Sequence, residues 1–555
     1  MQQIESKPGP IMAAGYNRAG FGLDNTNNHC YICSAMQTKL TVPIASRNLD
    51  LAIQQVNTAA AAGAEMLELR TDYLENLSTG LVKKLIAEVK QTRRRPLPII
   101  VTCRDKNQGG ANVYPDRLRV DVLIAALEAG AEFIDFEYEN FRFAENQERL
   151  QLALLRAPRS RLILSTHNFE TKFDNIGRLH RHILTLYPAA IAKLVYTANH
   201  INDCFEAFDL LHNTGGERII FCMGQAGLIS RIIAKKLGSL VTFASIDEQN
   251  ATAPGQLTIE QLKKIYRMDA IDSATSLYGI IGSPVAHSAG PAVHNSCFAD
   301  IGENKLYLPL LVDGGKEEFD RFMNNVLCRS WLGFRGFSVT IPHKENALDF
   351  VREKRGFIER LVERIGAVNT LLIGSDGKLS AYNTDYAGAL DTITPALNKR
   401  RIDLKDLSVA IIGAGGVARA IAAGLSDAGA GIRIYNRTIQ RGKRLAAEFG
   451  CDFAPLDDLQ RLDAKLVVNC TSIGMHPDVD ATPVPQQCLK KDMVVFDTVY
   501  NPAETLLLKQ AKEAGAKTIS GLDMFINQAC LQFKLFTGTD ANSKLMRKTI
   551  SKNQS

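Results

Sequence analysis

Eight short apolar runs, separated by helical stretches and recurring about every 25 to 35 residues, occupy the chain from Lys39 to about Asp269. They are Leu40 to Ile44, Met66 to Leu69, Ile99 to Thr102, Phe133 to Phe136, Leu162 to Ser165, Ala190 to Val195, Ile219 to Met223 and Leu240 to Ala244. Eight strands alternating with helices predict a closed parallel β/α barrel of the TIM type, in a segment of the usual size. At 555 residues the chain is too long for one ordinary core, so the barrel is one of two or three domains.

A polar, poorly patterned stretch, 269–276, follows the barrel (39–268) and reads as a linker. An α/β segment, 277–388, comes next, and then a second parallel unit, 389–520. The strands of that unit are Val409 to Ile412, Ile432 to Tyr435, Leu466 to Asn469 and Val494 to Asp497. A last helical stretch, Leu522 to Phe536, is placed to fold back on the middle segment, so that 521–545 completes it. The polar tail beyond Thr539 is expected to fray. Residues 1–38 carry Gly, Asn and Pro without periodicity and read as a disordered extension. Within it Cys30 and Cys33, preceded by His29, form a lone CxxC with no second pair near it, so no metal site is expected.

Composition narrows the class. Hydrophobic residues are 46% and charged residues 22% of the chain, and the net charge of +6 is dispersed rather than gathered in runs. No basic patch is interleaved with aromatics, which argues against nucleic acid. No stretch reaches the ~18 to 20 apolar residues of a membrane helix. Eleven cysteines scattered through apolar segments read as reduced thiols of an intracellular protein. The N-terminus lacks the Ser- and Arg-rich character of a transit peptide, so the expected compartment is the cytoplasm, with a plastid as the alternative. The expected state is a monomer.

The clearest local signal for chemistry is the strand Val409 to Ile412 running into Gly413, Ala414, Gly415 and Gly416 and then an Ala-rich helix. Glycines there let the backbone turn and approach a pyrophosphate, which a helix N-terminus attracts. The next strand ends in Asn436, Arg437 and Thr438, with Arg441 one turn on, where an NAD-binding unit would carry an acid for the ribose diol. Cations match a 2′-phosphate, so this Rossmann-type unit is read as taking NADP. Ahead of it stand Lys344, directly after a Pro-bearing turn, and Asp385. Reduction of a ketone needs a hydride on carbon and a proton on the forming alkoxide, and a lysine beside an aspartate can supply and recover that proton.

These islands resemble the shikimate dehydrogenase family. The matching motifs run in family order from Leu277 to about Gly538: Gly282-Ser-Pro-Val-Ala-His-Ser288, Thr340-Ile-Pro-His-Lys344, Gly366-Ala-Val-Asn369, Asn383-Thr-Asp385, Gly413-Ala-Gly-Gly416, Asn436-Arg-Thr438 and Gly521-Leu-Asp-Met524 with Gln528. The resemblance implies Lys344 and Asp385 as the catalytic pair. It also implies Asn369, Gln528, Thr340 and Tyr500 on the ring hydroxyls and carboxylate, and Ser288 on the carboxylate. The dinucleotide would lie on Gly413 to Gly416 and Gly521, with Asn436, Arg437, Thr438 and Arg441 around the 2′-phosphate and Met524 near the nicotinamide. Ser338 stands where bacterial members often have Asn. One departure bears on substrate: the family usually sets two serines, one residue apart, on the carboxylate, whereas this chain has Ser288 and Gly290. Glycine removes a donor and opens space beside the carbon bearing the carboxylate, where quinate carries an additional hydroxyl.

In the barrel, polar residues gather at strand ends, where the loops of such barrels carry active sites. Glu68 and Arg70 close the second strand, Arg104 the third, Glu137 the fourth and His167 the fifth, while Lys193 lies inside the apolar sixth. A lysine pointing into a barrel is costly unless it is paired or works, and desolvation makes such an amine nucleophilic toward carbonyls. The segment resembles type I 3-dehydroquinate dehydratase through Glu68-Leu-Arg70, Ser165-Thr-His167, Lys193, Ser230-Arg231 and Ala253-Pro-Gly-Gln256. That resemblance implies a Schiff base on Lys193, proton removal by His167, and Glu68, Arg70, Arg104, Arg231, Thr252 and Gln256 around the substrate. Here too the chain departs from pattern: Gln108 replaces the usual Glu before Gly109-Gly110, and Thr252 the common Ser.

Together the two halves imply a bifunctional enzyme that converts 3-dehydroquinate to 3-dehydroshikimate and reduces this to shikimate with NADPH. A second reading keeps the fold and makes the dehydrogenase act on quinate beside a weak or idle barrel. A third makes the barrel a binding module, against which His167 and Lys193 stand.

Overall fold

The structure is a computed structural model of the chain and describes residues 38–92, 95–253 and 255–553. Apart from Thr38, the expected N-terminal extension lies outside the described residues, as do Cys30, Cys33 and Pro254.

Strands β1 (Lys39–Ile44), β2 (Met66–Arg70), β3 (Ile99–Thr102), β4 (Phe133–Glu137), β5 (Arg161–Asn168), β6 (Ile191–Thr197), β7 (Arg218–Met223) and β8 (Val241–Phe243) form one parallel sheet in the order 7-6-5-4-3-2-1-8. It curls into a nearly closed barrel. At the seam β8 pairs with β1, and the Leu240 amide donates to the Arg218 carbonyl at the start of β7, at 2.8 Å. Strand side chains alternate between two faces, and both faces are buried, which is why the runs are apolar throughout. In β6 the residues Ala192, Leu194 and Tyr196 pack outward under the helices, whereas Ile191 and Val195 join the barrel interior with Met66, Ile100, Ile163 and Ile219. That parity turns Lys193 inward.

The second sheet is mixed. Its strands are β9 (Ser276–Gly282), β10 (Lys305–Leu311), β11 (Phe334–Val339), β12 (Phe357–Ile358), β13 (Thr370–Ile373) and β14 (Leu379–Tyr382), in the order 10-9-11-13-14-12. The third sheet is wholly parallel, with β15 (Ser408–Ile412), β16 (Gly431–Asn436), β17 (Asp452–Pro455), β18 (Leu466–Asn469), β19 (Val494–Asp497) and β20 (Lys517–Ile519) in the order 17-16-15-18-19-20. The strand order reverses between β15 and β18, and such a reversal leaves a crevice at the carboxyl ends of the strands. The helix Gly521–Thr537 leaves the third sheet and returns to the second, burying Ile526, Ala529, Phe533 and Phe536 against Tyr278, Phe298 and Tyr307.

The tail departs from expectation. It forms a helix, Ser543–Asn553, whose Met546 and Ile550 are buried against the same aromatic cluster. An i, i+4 pair needs only one apolar stripe, and the Lys- and Arg-rich remainder of the segment masks it in composition. Between barrel and second sheet, a 3₁₀ turn at Met268–Ala270 and buried Ile271 pack the connection. The two halves also touch directly: Arg329 forks onto Asp209 through two bonds of 2.7 Å, and His212 stacks on Trp331 with ring centroids 3.9 Å apart.

Candidate active sites

In the barrel, the inward residues of neighbouring strands converge on Lys193. Its Nζ donates to Asp135 Oδ2 at 2.7 Å and lies 3.5 Å from Glu68 Oε1, which also accepts from Thr102 Oγ1 at 2.8 Å. Asp135 in turn accepts from Ser165 Oγ at 2.6 Å and pairs with Arg104 at 2.9 Å. Glu137 holds Arg104 at 2.9 Å and Arg119 from the other side. Three cations and three carboxylates thus share a buried lattice in which each charge has partners, the condition under which buried ions are tolerated. Burial alone would raise the Asp135 carboxyl, but Arg104 and Lys193 outweigh it and hold the group well below the usual carboxylate range.

His167 sits beside this lattice. Burial first, then the nearby Arg104 and Lys193 charges, push its pKa well below the ordinary value, so the ring is neutral and can accept a proton. Gln108 Oε1 accepts from the His167 amide at 3.2 Å and faces ring Nδ1 at 3.3 Å. Arg231 lies over the Phe221 ring, 4.4 Å from its centroid, and burial pushes the guanidinium down to about 10. Among the described residues its buried Nε and Nη2 have no hydrogen-bond partner. An unpaired buried guanidinium is costly, and an anion brought by a ligand would satisfy it bidentately. Glu68, Arg70, Arg104, His167, Lys193, Arg231, Thr252 and Gln256 all line one pocket. Within it Arg70 is already forked onto Asp72 at 2.8 and 2.9 Å, and Gln256 accepts from the Thr252 amide at 2.8 Å.

Asp135 was not among the residues expected here. A carboxylate two positions before Glu137, in an otherwise apolar strand, has the period that would have shown it on the same inward face. Arg119 left no such signal, because an arginine in the helix Asp116–Glu128 reads as surface until the fold buries it.

In the second site Lys344 opens the helix Lys344–Glu353 and Asp385 the helix Asp385–Ala396, and Lys344 Nζ donates to Asp385 Oδ2 at 2.5 Å. Asn369 clamps the pair from behind. Its Nδ2 donates to Asp385 Oδ1 and Thr384 Oγ1, each at 2.9 Å, and its Oδ1 accepts from the Thr384 amide at 2.8 Å. Ser288, Gly290, Thr340, Lys344, Asn369, Asp385, Tyr500, Gly521, Met524 and Gln528 line one pocket. Tyr500 reaches Ser288 and the Ala289 backbone, and burial raises its phenol. Tyr307 and Gln532 line it too, without having been expected. Gln532 stands one helical turn beyond Gln528, so helical spacing points to it.

The adjoining cleft is lined by Gly413, Ala414, Gly415, Asn436, Arg437, Thr438 and Arg441. Gly413 has φ of +108°, and a Cβ there would lie 3.0 Å from the Cys470 carbonyl oxygen, so glycine is required. Gly415 caps the helix Gly416–Asp427 without a side-chain cap, and nothing stands within 4 Å of where its Cβ would be, leaving N–H groups open to a phosphate. Among the described residues Arg437 and Arg441 are exposed and form no ion pair, so both are available to a 2′-phosphate. Gly416 does something else: its Cβ would lie 2.8 Å from Lys344 Cδ, so the helix Gly416–Asp427 packs on Lys344.

Family models match the chain along most of its length. Residues 40–273 match type I 3-dehydroquinase, 280–371 the shikimate dehydrogenase substrate binding domain, 396–528 shikimate/quinate 5-dehydrogenase and 521–550 the shikimate 5′-dehydrogenase C-terminal domain. The chain is 35% identical over 528 residues, 92% of its own length and 84% of the relative's, to the chloroplastic bifunctional 3-dehydroquinate dehydratase/shikimate dehydrogenase of Arabidopsis thaliana. Its second half is 40% identical over 285 residues, 49% of this chain and 97% of the relative, to the NADP(+) shikimate dehydrogenase of Methanosarcina acetivorans. Against the corresponding Methanocaldococcus jannaschii enzyme the identity is 39% over 301 residues, 50% of this chain and 98% of the relative.

Proposed function

The chain belongs to the family of bifunctional 3-dehydroquinate dehydratase/shikimate dehydrogenases, and from that premise we propose which of its residues perform the two reactions. The barrel dehydrates 3-dehydroquinate and the second half reduces 3-dehydroshikimate to shikimate with NADPH. What carries the residue assignment is the buried Lys193, paired with Asp135 and Glu68, in one pocket with a neutral His167 and an arginine whose donors await an anion. The Lys193 amine, once deprotonated, attacks the substrate ketone and expels its oxygen as water, forming a Schiff base. His167 takes the proton from the adjacent ring carbon and returns it to the departing hydroxyl, and hydrolysis then frees Lys193. Arg231 holds the carboxylate, while Glu68, Arg70, Arg104, Thr252 and Gln256 orient the hydroxyls.

In the second half NADPH supplies the hydride. Lys344 delivers a proton to the forming alkoxide, and Asp385, clamped by Asn369, holds Lys344 in place and recovers the proton. Ser288 and Tyr500 bind the carboxylate, and Thr340, Asn369 and Gln528 face the ring hydroxyls. Purified protein given 3-dehydroquinate and NADPH should oxidise the cofactor without added 3-dehydroshikimate. No oxidation in that assay would sink the two-site reading. The proposed division is 39–268 for the barrel, 269–276 joining it to 277–388, which 521–545 completes, and 389–520 for the cofactor unit.

Gly290 favours quinate as a second substrate of the dehydrogenase, because it sets no second hydroxyl beside Ser288, and a Cβ there would stand only 3.2 Å from both Ser288 Oγ and Tyr307 Cε1. For setting, we place the chain as a monomer in the cytoplasm, the plastid of the plant relative being the alternative. Among the described residues no helix is long and apolar enough to cross a membrane. Light scattering against 60.9 kDa and fractionation of source cells test these two points.

Two substitutions probe the assignments. Gln108→Glu puts a carboxylate against His167 Nδ1, which stabilises the imidazolium and so raises the depressed pKa. The dehydratase kcat should rise about 3- to 10-fold as the base strengthens, and the acid limb of its pH profile should move to higher pH. An unmoved limb would show that Gln108 does not tune the base. Replacing Arg437 and Arg441 by Ala should raise the KM for NADPH about 10- to 100-fold, the worth of charge-assisted hydrogen bonds, while the KM for NADH stays put. Equal losses with both cofactors would mean that neither arginine reads the 2′-phosphate.

A further inference from the structure

The dehydrogenase pocket contains a directional chain of hydrogen bonds that no residue of the proton-handling pair uses. It begins at Gln532, whose Nε2 donates to the Asn369 carbonyl at 3.1 Å and to Thr370 Oγ1 at 3.0 Å. A carbonyl can only accept. Thr370 has spent its own proton on Asn369 Oδ1, at 2.8 Å, and that oxygen is fixed in turn by the Thr384 amide. Both anchors therefore orient the Gln532 amide the same way, with Oε1 toward Ser338. Ser338 Oγ must then donate to Gln532 Oε1, at 2.8 Å, so its oxygen accepts from Tyr307 Oη at 2.6 Å. The single phenolic proton of Tyr307 is committed, and what its oxygen has left for a ligand in the pocket is a lone pair.

That oxygen lies beside Gly290, where the family's second serine would stand. A Cβ on Gly290 would stand 3.2 Å from Tyr307 Cε1 and 3.6 Å from its Oη, and 3.2 Å from Ser288 Oγ. A substrate carboxylate is itself acceptor-only and is repelled by a lone pair, so it turns toward Ser288 and Tyr500. A hydroxyl on the same ring carbon finds in Tyr307 an acceptor with nothing else to do. We propose that Tyr307, oriented through Ser338 and Gln532, is the residue that selects ring acids bearing a hydroxyl on the carboxylate-bearing carbon. This rests on the reading that Gly290 admits quinate. The same hydroxyl is present in 3-dehydroquinate, the substrate of the barrel, so the two sites draw on one ketone. The barrel eliminates that hydroxyl as water. The dehydrogenase keeps it and reduces the ketone, hydride from NADPH going to the carbonyl carbon and a proton from Lys344 to the oxygen, to give quinate.

The test compares quinate with its analogue lacking that hydroxyl, using the full chain and NADP+. Wild type should show kcat/KM about tenfold higher for quinate, the worth of one hydrogen bond to a buried acceptor, and Tyr307→Phe should abolish the preference. Gly290→Ser, whose Cβ would stand 3.6 Å from Tyr307 Oη and whose hydroxyl can reach that oxygen, should also reduce it by occupying the same lone pair, and serves if Tyr307→Phe misfolds. Equal kcat/KM for the two acids in wild type overturns the proposal. So does a preference that survives in Tyr307→Phe, or a loss that falls equally on both acids, which is what a purely structural role would give. If quinate is not oxidised at all, its inhibition constant against shikimate oxidation reads the same preference. A retained preference there upholds Tyr307 while overturning quinate turnover, and no preference overturns both.

Discussion

Lys193→Ala is expected to lower the kcat for dehydration about 10⁴-fold or more, on the order of 5.5 kcal/mol of barrier, because the Schiff base has no other amine in reach. Among the described residues the pocket holds a single lysine, whose Nζ lies 2.7 Å from Asp135, and Arg70, Arg104 and Arg231 line the same pocket. Borohydride added with 3-dehydroquinate should fix a covalent adduct that peptide mass spectrometry places on Lys193. The same chain supplies the control for folding. Removing Lys193 leaves Asp135 and Glu68 short of a cation, which can destabilise a buried lattice, yet 3-dehydroshikimate reduction should persist because its pocket shares none of these residues. An Ala variant that dehydrates at the wild-type rate, or an adduct on another residue, would end the Schiff-base assignment.

Asp385→Asn and Lys344→Ala should each reduce the dehydrogenase kcat about 10³-fold, within the range of a positioned proton donor. Asp385→Asn is the sharper of the two. The new side chain can still accept from Asn369 Nδ2 through its oxygen, which turns its NH₂ toward Lys344 Nζ and sets donor against donor where there was a 2.5 Å bond. KM should change little, since the proposed carboxylate holders, Ser288 and Tyr500, are left untouched. A fall of less than tenfold in kcat with unchanged KM would leave Asp385 as no more than an acid in the first turn of its helix. Dehydration by the same variants should continue at the wild-type rate.

Much of this architecture was legible before any coordinates. Eight apolar runs of strand length could bury both faces only in a parallel sheet covered by helices, and the glycine turn with the cations after the next strand marked a phosphate cleft. The two lysines were legible as pocket residues too, because a lysine inside an apolar strand or directly after a proline turn has no cheap structural explanation. The helix Ser543–Asn553 was not, since its two buried side chains are outnumbered by surface cations. The edge strands Asp452–Pro455 and Lys517–Ile519 were missed for a related reason: short strands with one neighbour carry little apolar signal.

The chemistry that residue types can perform, and the two domains that carry it, follow from local pattern, because periodicity and turn chemistry are properties of neighbours in sequence. Partnership does not. Asp135 becomes the counter-ion of Lys193 only because β4, β5 and β6 lie side by side in a closed barrel. Tyr307 becomes an acceptor only because a helix more than two hundred residues later brings Gln532 beneath Ser338. Which proton each group holds is decided by desolvation and by neighbours from distant strands, and those exist only once the chain has folded.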